Sequence, residues 1–174
     1  RSSDLQNYEY LILTAEENVE EGLTEKPLRL VHFGQQATKA VLFNEGVKQA
    51  KGNYLFFLAP DTELIGADSL EEMLGSCMRK ESGIVGARLY DGENRIAHAG
   101  VIIGLHGLAG AAFAGFPKTE EDVYSRILSR QCYSAVTGAC MLVKRSVFEA
   151  AGGFSEDFGL AFWDLDFCLR VGAL

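Results

Sequence analysis

Two clusters of carboxylates in this chain have the residue types and positions for chemistry. Asp164 and Asp166 follow an apolar strand (139–143), a helix (146–151) and the double glycine at 152–153, and they open a second helix. A carboxylate at a helix start is stabilised by the helix dipole. This pattern predicts a general base at the start of the second helix.

The second cluster, Asp61 and Glu63, ends the apolar run YLFFLAPDTE. Carboxylates beyond the carboxyl end of a strand in an α/β sheet point into the crevice where ligands usually bind. Divalent cations such as Mg²⁺ prefer carboxylate and phosphate oxygens as ligands. The two clusters together predict one metal site and one base.

The elements that must position these carboxylates alternate between strand and helix patterns. Tyr54 to Leu58 is a continuous apolar run, typical of a strand buried on both faces, and we expect it at the centre of the sheet. The alternation predicts an α/β fold with a mostly parallel sheet covered by helices on both faces. The stretch from Gly104 to Pro117 is compatible with a plain loop or with a flexible flap. Further strands are predicted at 8–13, 28–33, 83–90 and 96–103, and further helices at 36–50 and 70–79.

Composition narrows the class of protein. The 174 residues suit a single domain, 1–174, with one core. The 16 basic and 24 acidic residues give a formal charge of −8, which excludes the basic surface that nucleic-acid binding needs. No apolar run is long enough for a transmembrane segment. Cys77, Cys132, Cys140 and Cys168 form no metal-ligand spacing, which predicts reduced thiols and a cytoplasmic location.

Five segments, in order, carry a resemblance to a known family. The chain is similar to the bacterial family-2 inverting glycosyltransferases, in the branch that makes O-antigen and rhamnan-type cell-surface polysaccharides, over roughly residues 8 to 170. The resemblance implies a GT-A fold and transfer of a sugar, with inversion, from a nucleotide-diphosphate donor to a glycan or lipid-linked acceptor. It also implies Mg²⁺ or Mn²⁺ as cofactor. The segments are NYEYLIL, FNEGVKQAKGNYLFFLAPDTE, GIVGARLYDGENRIAHAGVIIG, AVTGACMLVKRSVFEAAGGF and WDLDFCLR.

The resemblance also implies roles for individual residues. Asp61 would hold the metal and Asp164 would be the catalytic base, taking the proton of the acceptor hydroxyl. His98 falls on the family's His-Ala-Gly motif and would bind substrate, and Trp163 and Asp166 would bind substrate in the same site.

Each role has a structural alternative. Asp61 could be a solvated turn residue, Asp164 a helix N-cap, and Asp166 an ion-pair partner of Arg170 four residues along the helix. His98 could be a hydrogen-bonded structural residue. Trp163, with Phe162, could stack on a sugar or belong to the core.

The chain departs from the family pattern in several places. The family's opening strand, which cradles the nucleoside, is missing, and Thr14 stands where an acid is expected. Ala59 and Pro60 replace acidic or amide residues, and Trp163 replaces the acidic or amide residue that the family has before Asp164. We therefore expect a domain truncated at both ends, part of a larger parent chain and inactive by itself. The parent would be cytoplasmic or held peripherally at the inner membrane. The alternative is a degenerate, non-catalytic module for glycan binding or assembly.

Overall fold

A computed structural model describes residues 7–14, 28–33, 37–118 and 127–174 of the chain. Within these ranges the chain forms an α/β fold of nine strands and four helices. The strands are β1 (Tyr10–Thr14), β2 (Leu28–His32), β3 (Tyr54–Leu58), β4 (Ile84–Gly86), β5 (Leu89–Tyr90), β6 (Ile96–His98), β7 (Val101–Ile103), β8 (Ala109–Ala111) and β9 (Cys140–Lys144). The helices are α1 (Lys39–Gln49), α2 (Ser69–Cys77), α3 (Arg145–Ala150) and α4 (Trp163–Gly172).

Strand β9 is the centre of the main sheet, whose strand order is β3-β9-β4. It pairs antiparallel with both neighbours, and the register with β3 places Leu58 opposite Cys140 and Tyr54 opposite Lys144. Four successive β9 residues, Cys140 to Val143, are buried. A strand that packs on both faces needs such an uninterrupted apolar run. The sheet is therefore organised around a strand from the last quarter of the chain.

Two predictions about the sheet are wrong. Among the described strands only β1 and β2 pair in parallel, so the sheet is not mostly parallel. The run from Tyr54 to Leu58 is a strand with the predicted ends, but it lies at the edge of the three-stranded sheet. Its inner residues Leu55 and Phe57 are buried, whereas Tyr54 and Leu58 are each 37% exposed. An apolar run indicates that a strand is buried, but it contains no information on whether the strand pairs in parallel or antiparallel.

Other predicted elements need smaller corrections. The strand expected at 83–90 is divided into β4 and β5, and the strand expected at 96–103 into β6 and β7. The stretch from Gly104 to Pro117 contains β8, which pairs with β7, so it is not simply a loop. Residues 118–131 are polar and then helical in pattern, which predicts a helix, but most of this stretch falls outside the described residues. No helix in the described ranges is long and apolar enough to span a membrane.

Aromatic rings form the core beneath the amino terminus of α4. Phe154 packs edge-on against Phe167, with ring centroids 4.7 Å apart, and against Trp163 at 4.8 Å. Phe43 of α1 and Phe57 of β3 join the same cluster at 5.0 Å. Aromatic pairs in such tilted and edge-to-face arrangements stabilise a core beyond the area they bury. This cluster gives α4 a rigid base.

The helix α1 is closed at both ends by side chains. Its N-cap Thr38 accepts from the Val41 amide at 3.4 Å. At the carboxyl end, the Arg145 guanidinium donates to the carbonyl oxygens of Val47, Ala50 and Gly52. The last carbonyls of a helix lack partners within the helix, and a cation there also complements the helix dipole. Arg145 thereby joins α1 to the start of α3.

Candidate active site

Asp164 lies in the first turn of α4 and is tied to the segment that enters β9. Its Oδ2 accepts a hydrogen bond from the Gly138 amide at 2.8 Å, and its Oδ1 accepts from the Leu165 amide at 2.9 Å. The N-cap position belongs to Phe162, so Asp164 is not the cap. A carboxylate accepts at about four sites, so oxygen lone pairs remain for a substrate proton.

The close approach of Gly138 to α4 depends on the absence of a side chain. A Cβ atom at Gly138 would lie 2.1 Å from Cη2 of Trp163. Glycine therefore lets the backbone rest on the indole ring and brings the Gly138 amide within reach of Asp164.

Trp163 belongs to the core, and the prediction that it binds substrate is not supported by its position. It is 5% exposed. Its ring lies 5.7 Å from that of Phe43 and 4.8 Å from that of Phe154, with Gly138 above it. Stacking on a sugar needs an open ring face, and core packing covers this one.

His98 ends β6 and lies close enough to Asp164 for the carboxylate to act on its charge. Its Nδ1 accepts a hydrogen bond from the Gly100 amide at 3.2 Å. Burial lowers the pKa of His98, and the Asp164 carboxylate opposes this with a smaller effect. Because Nδ1 is the acceptor, we assign the proton of the neutral ring to Nε2. His98 thus offers one N–H donor within electrostatic range of Asp164.

The segment 133–138 joins His98 to Asp164. The Val101 amide donates to the Ala135 carbonyl oxygen at 2.8 Å, which docks the start of β7, three residues after His98, on this segment. Gly100 has a φ of +123°, and a Cβ there would lie 2.3 Å from the ring of Tyr133. Both the backbone angle and the ring contact require glycine. The structure therefore brings together two of the residues that sequence reasoning singled out.

Asp61 lies in an exposed turn after β3, at the same end of the sheet as Asp164. The Ala59 amide donates to the Ala139 carbonyl oxygen at 2.8 Å, next to Gly138, and the Thr62 amide closes the turn on Ala59 at 3.1 Å. Across the described ranges no three or more His, Cys, Asp or Glu residues are grouped so as to hold a metal ion. Asp61 could supply one carboxylate ligand only.

Asp166 is already occupied, which weakens its predicted role in substrate binding. Its Oδ2 accepts from Arg170 Nη2 at 2.7 Å and from Arg170 Nε at 2.9 Å. Arg170 Nη2 also donates to the Gly153 carbonyl oxygen at 2.8 Å. The pair therefore fastens α4 to the turn after α3, as the ion-pair alternative described.

Asn44 supports the site but was missed by sequence reasoning. Its Nδ2 donates to the Phe154 carbonyl oxygen at 2.8 Å, and its Oδ1 accepts from the Phe154 amide at 2.9 Å. This pairing holds the loop before α4 against α1. Asn44 and Gly138 were both missed because their partners, Phe154 and Asp164, are remote from them in the sequence.

A shallow groove of about 460 Å³ lies along the other side of α4. Its lining includes Lys144, Cys168 and Val136, but not Asp61, His98 or Asp164. Lys144 already donates to the Arg79 and Ser82 carbonyl oxygens, and burial raises the pKa of the Cys168 thiol to about 11. Because these groups are engaged or inert, we place the candidate site at Asp164 and not in this groove.

Replacing His98 tests its assigned protonation state. Because the folded-state pKa lies below the ordinary value near 6.5, the unfolded chain binds more protons as the pH falls. This contribution to stability is complete above about pH 6.5 and is lost as the pH drops through the folded-state pKa. His98→Asn keeps an acceptor near the Gly100 amide but cannot titrate in this pH range. We therefore expect this variant to lack the loss of stability that His98 causes at acid pH.

Urea unfolding of wild type and His98→Asn at several pH values checks this result. His98→Ala serves as the control, because it also loses the Gly100 hydrogen bond and should be less stable at every pH. An equally steep acid loss in His98→Asn would show that His98 does not cause it.

Sequence comparisons find relatives in bacterial proteins much longer than this chain. No family model matches the chain. It is 38% identical over 151 residues to the uncharacterized protein y4gI of Sinorhizobium fredii (strain NBRC 101917 / NGR234), covering 86% of this chain. It is 35% identical over 131 residues to the O-antigen biosynthesis protein RfbC of Myxococcus xanthus, covering 75% of this chain. The matches span 17% and 10% of those two proteins.

A solved structure resembles the described fold. It is the mannosyltransferase PcManGT from Pyrobaculum calidifontis in complex with GDP-Man and Mn²⁺, with a TM-score of 0.55 and 16% sequence identity. The similarity covers 83% of this chain and 34% of that one. The chain shares the fold of a glycosyltransferase.

Proposed function

We propose that this chain is part of a family-2 inverting glycosyltransferase that uses a nucleotide-diphosphate sugar to extend a cell-surface glycan. The observation that carries the proposal is the Asp164 carboxylate, fixed by the Gly138 amide at 2.8 Å and within electrostatic range of His98. The shared fold with a mannosyltransferase and the sequence relationship to an O-antigen biosynthesis protein support it. The domain would extend over residues 1–174, within a longer protein.

The proposed reaction is a direct displacement. Asp164 takes the proton of the acceptor hydroxyl as its oxygen bonds to the anomeric carbon of the donor sugar. The bond from that carbon to the diphosphate oxygen breaks, and the configuration inverts. His98, through its Nε2–H, donates a hydrogen bond to a substrate oxygen. The Gly138 amide keeps the carboxylate in place while the proton moves.

A divalent metal is compatible with Asp61 only if the donor supplies further ligands. Mg²⁺ is often held by one or two carboxylates together with substrate phosphates. The exposed turn after β3 provides such a carboxylate at the end of the sheet where Asp164 lies. When bound, the ion would neutralise charge on the departing diphosphate. Asp61 would then position the diphosphate end of the donor.

The cellular setting follows from the same proposal. All four cysteines are free and three are buried, which supports a reducing compartment such as the cytoplasm. A glycan-binding module without catalysis is the competing function. Trp163, in place of the acid or amide that the family has before Asp164, and the single carboxylate at Asp61 favour that alternative, because both reduce the polar groups available in the site.

A transfer assay on the full-length protein tests the proposal. Nucleotide-diphosphate sugars with different bases and sugars are incubated with glycan acceptors, with and without Mn²⁺, and the product is analysed for anomeric configuration. Formation of an inverted glycoside supports the proposal. Absence of transfer across the panel, with glycan binding retained, would establish the non-catalytic alternative.

Asp61→Ala should weaken donor binding as well as rate. Loss of a carboxylate that holds a metal on the diphosphate removes a charge-assisted contact, and we expect at least a tenfold rise in the KM for the donor. Kinetics at several Mn²⁺ concentrations measure the effect. Glu63→Ala is the matched control, because Glu63 is exposed in the same turn and should leave the donor KM within about twofold. Equal effects of the two variants would contradict the role of Asp61.

A further inference from the structure

Phe162 combines a strained backbone with an exposed aromatic ring directly before α4. Its φ is +69°, in the left-handed region that disfavours residues with a bulky side chain. Its side chain is 49% exposed, and no ring contact links it to the other aromatic residues that the structure describes. A non-glycine residue in this conformation is held there by the surrounding structure, and such residues cluster at functional sites.

Glycine would relieve this strain, and the same loop contains it elsewhere. Gly152 and Gly153 adopt positive φ angles of 79° and 74° before α4. At position 162 the chain instead has a phenylalanine that is half-exposed. Its carbonyl oxygen accepts the Asp166 amide at 2.9 Å, so the backbone is part of the first turn of α4. Fold stability therefore does not account for the exposed half of Phe162.

The surroundings of Phe162 favour a sugar over a membrane or an acidic partner. Asp164 is two residues away, so the two Cα atoms are at most about 7.6 Å apart. The exposed carboxylates Glu156 and Asp157 are on the same loop. A ring next to hydrogen-bonding carboxylates matches the apolar and hydroxyl faces of a pyranose. Acidic side chains at this place repel anionic lipid headgroups.

We propose that Phe162 is the platform on which a pyranose ring of the acceptor glycan stacks, with the reacting hydroxyl directed to Asp164. This inference rests on the proposed function and assigns a residue to its acceptor side. The strained backbone presents the ring at the start of α4, while the neighbouring Trp163 faces the core. The two adjacent aromatic residues thus have opposite roles.

Saturation-transfer difference NMR on the full-length protein tests the platform without depending on catalysis. The probes are methyl glycosides of common hexopyranoses and 6-deoxyhexopyranoses, with the aromatic protons of the protein irradiated. We expect saturation to reach the ring C–H protons of at least one glycoside in wild type and in Phe162→Tyr. Phe162→Gly should bind that glycoside about fivefold more weakly, the effect of losing one aromatic contact.

Two controls separate loss of the ring from loss of the fold. Leu160→Ala removes a side chain that is 96% exposed on the same loop, and binding should stay within twofold of wild type, as expected for roughly neutral surface changes. Phe162→Gly should not lower the melting temperature, since glycine accepts the left-handed backbone. Equal glycoside binding by wild type and Phe162→Gly would overturn the platform, as would the absence of saturation in every glycoside.

The outcome is distinguishable from failure of the proposed function. Ring-dependent glycoside binding without sugar transfer would support Phe162 and refute the enzyme. Transfer with an acceptor KM that is unchanged in Phe162→Gly would support the enzyme and refute the platform.

Discussion

Asp164→Asn should lower the rate of sugar transfer by about 10² to 10⁴, the contribution typical of a general base. The amide oxygen of asparagine can still accept from the Gly138 amide, so the geometry that the 2.8 Å hydrogen bond maintains should persist. The amide cannot take the acceptor proton. Steady-state kinetics on the full-length protein should show this loss in kcat, with the donor KM within a few-fold of wild type.

Asp166→Asn is the matched control for this loss. Asp166 lies on the same helix turn, but its carboxylate is paired with Arg170. Removing its charge should reduce stability by up to about 1 kcal/mol and leave the transfer rate within a few-fold. A rate that is unchanged in Asp164→Asn would refute the base assignment. A rate that falls equally in both variants would indicate a general effect on α4.

Trp163→Ala should have the largest effect on stability, a loss of about 3 to 5 kcal/mol in the free energy of unfolding. The indole is 5% exposed and contacts two phenylalanine rings and Gly138, so its removal leaves a cavity in the core. Trp163→Phe keeps part of this packing and should lose less. Urea unfolding, read by circular dichroism, measures both variants.

Activity distinguishes core packing from sugar binding at position 163. If Trp163 only packs, then Trp163→Phe should keep acceptor binding close to wild type in the fraction that is folded. Phe162→Leu is the matched stability control, since it alters the adjacent exposed ring and should cost less than about 1 kcal/mol. A strong loss of acceptor binding in Trp163→Phe with little loss of stability would restore the sugar-stacking role.

Local patterns in the sequence predicted the elements next to the site well. Tyr54–Leu58 is β3 with the ends that its apolar run indicated, and the helix that carries Asp164 begins one residue before it. Both features depend on residues that are close in sequence. The apolar run defines the strand, and the change from a glycine turn to a helical pattern indicates the helix.

Features that depend on distant residues could not be predicted in the same way. The antiparallel pairing of β3 with β9 depends on the path of the chain between the two strands. The hydrophobic periodicity of each strand contains no information on that path. The burial of Trp163 depends on Gly138, and the loop before α4 depends on Asn44, more than a hundred residues earlier. Because these partners could not be known from the sequence, Trp163, next to the predicted base, was predicted to bind substrate.

The central position of β9 has a consequence for how the protein folds. Leu58 pairs with Cys140 and Ile84 with Val143, so neither β3 nor β4 has its partner in the main sheet until β9 has been synthesised. Closing such long loops costs chain entropy before the contacts are gained, and proteins rich in distant pairings fold slowly. During synthesis, the apolar residues of β3 remain without their sheet partner until β9 leaves the ribosome. Folding of this region is therefore expected to follow the release of residues 140–167 from the ribosome, and nascent chains that end earlier should remain sensitive to proteases.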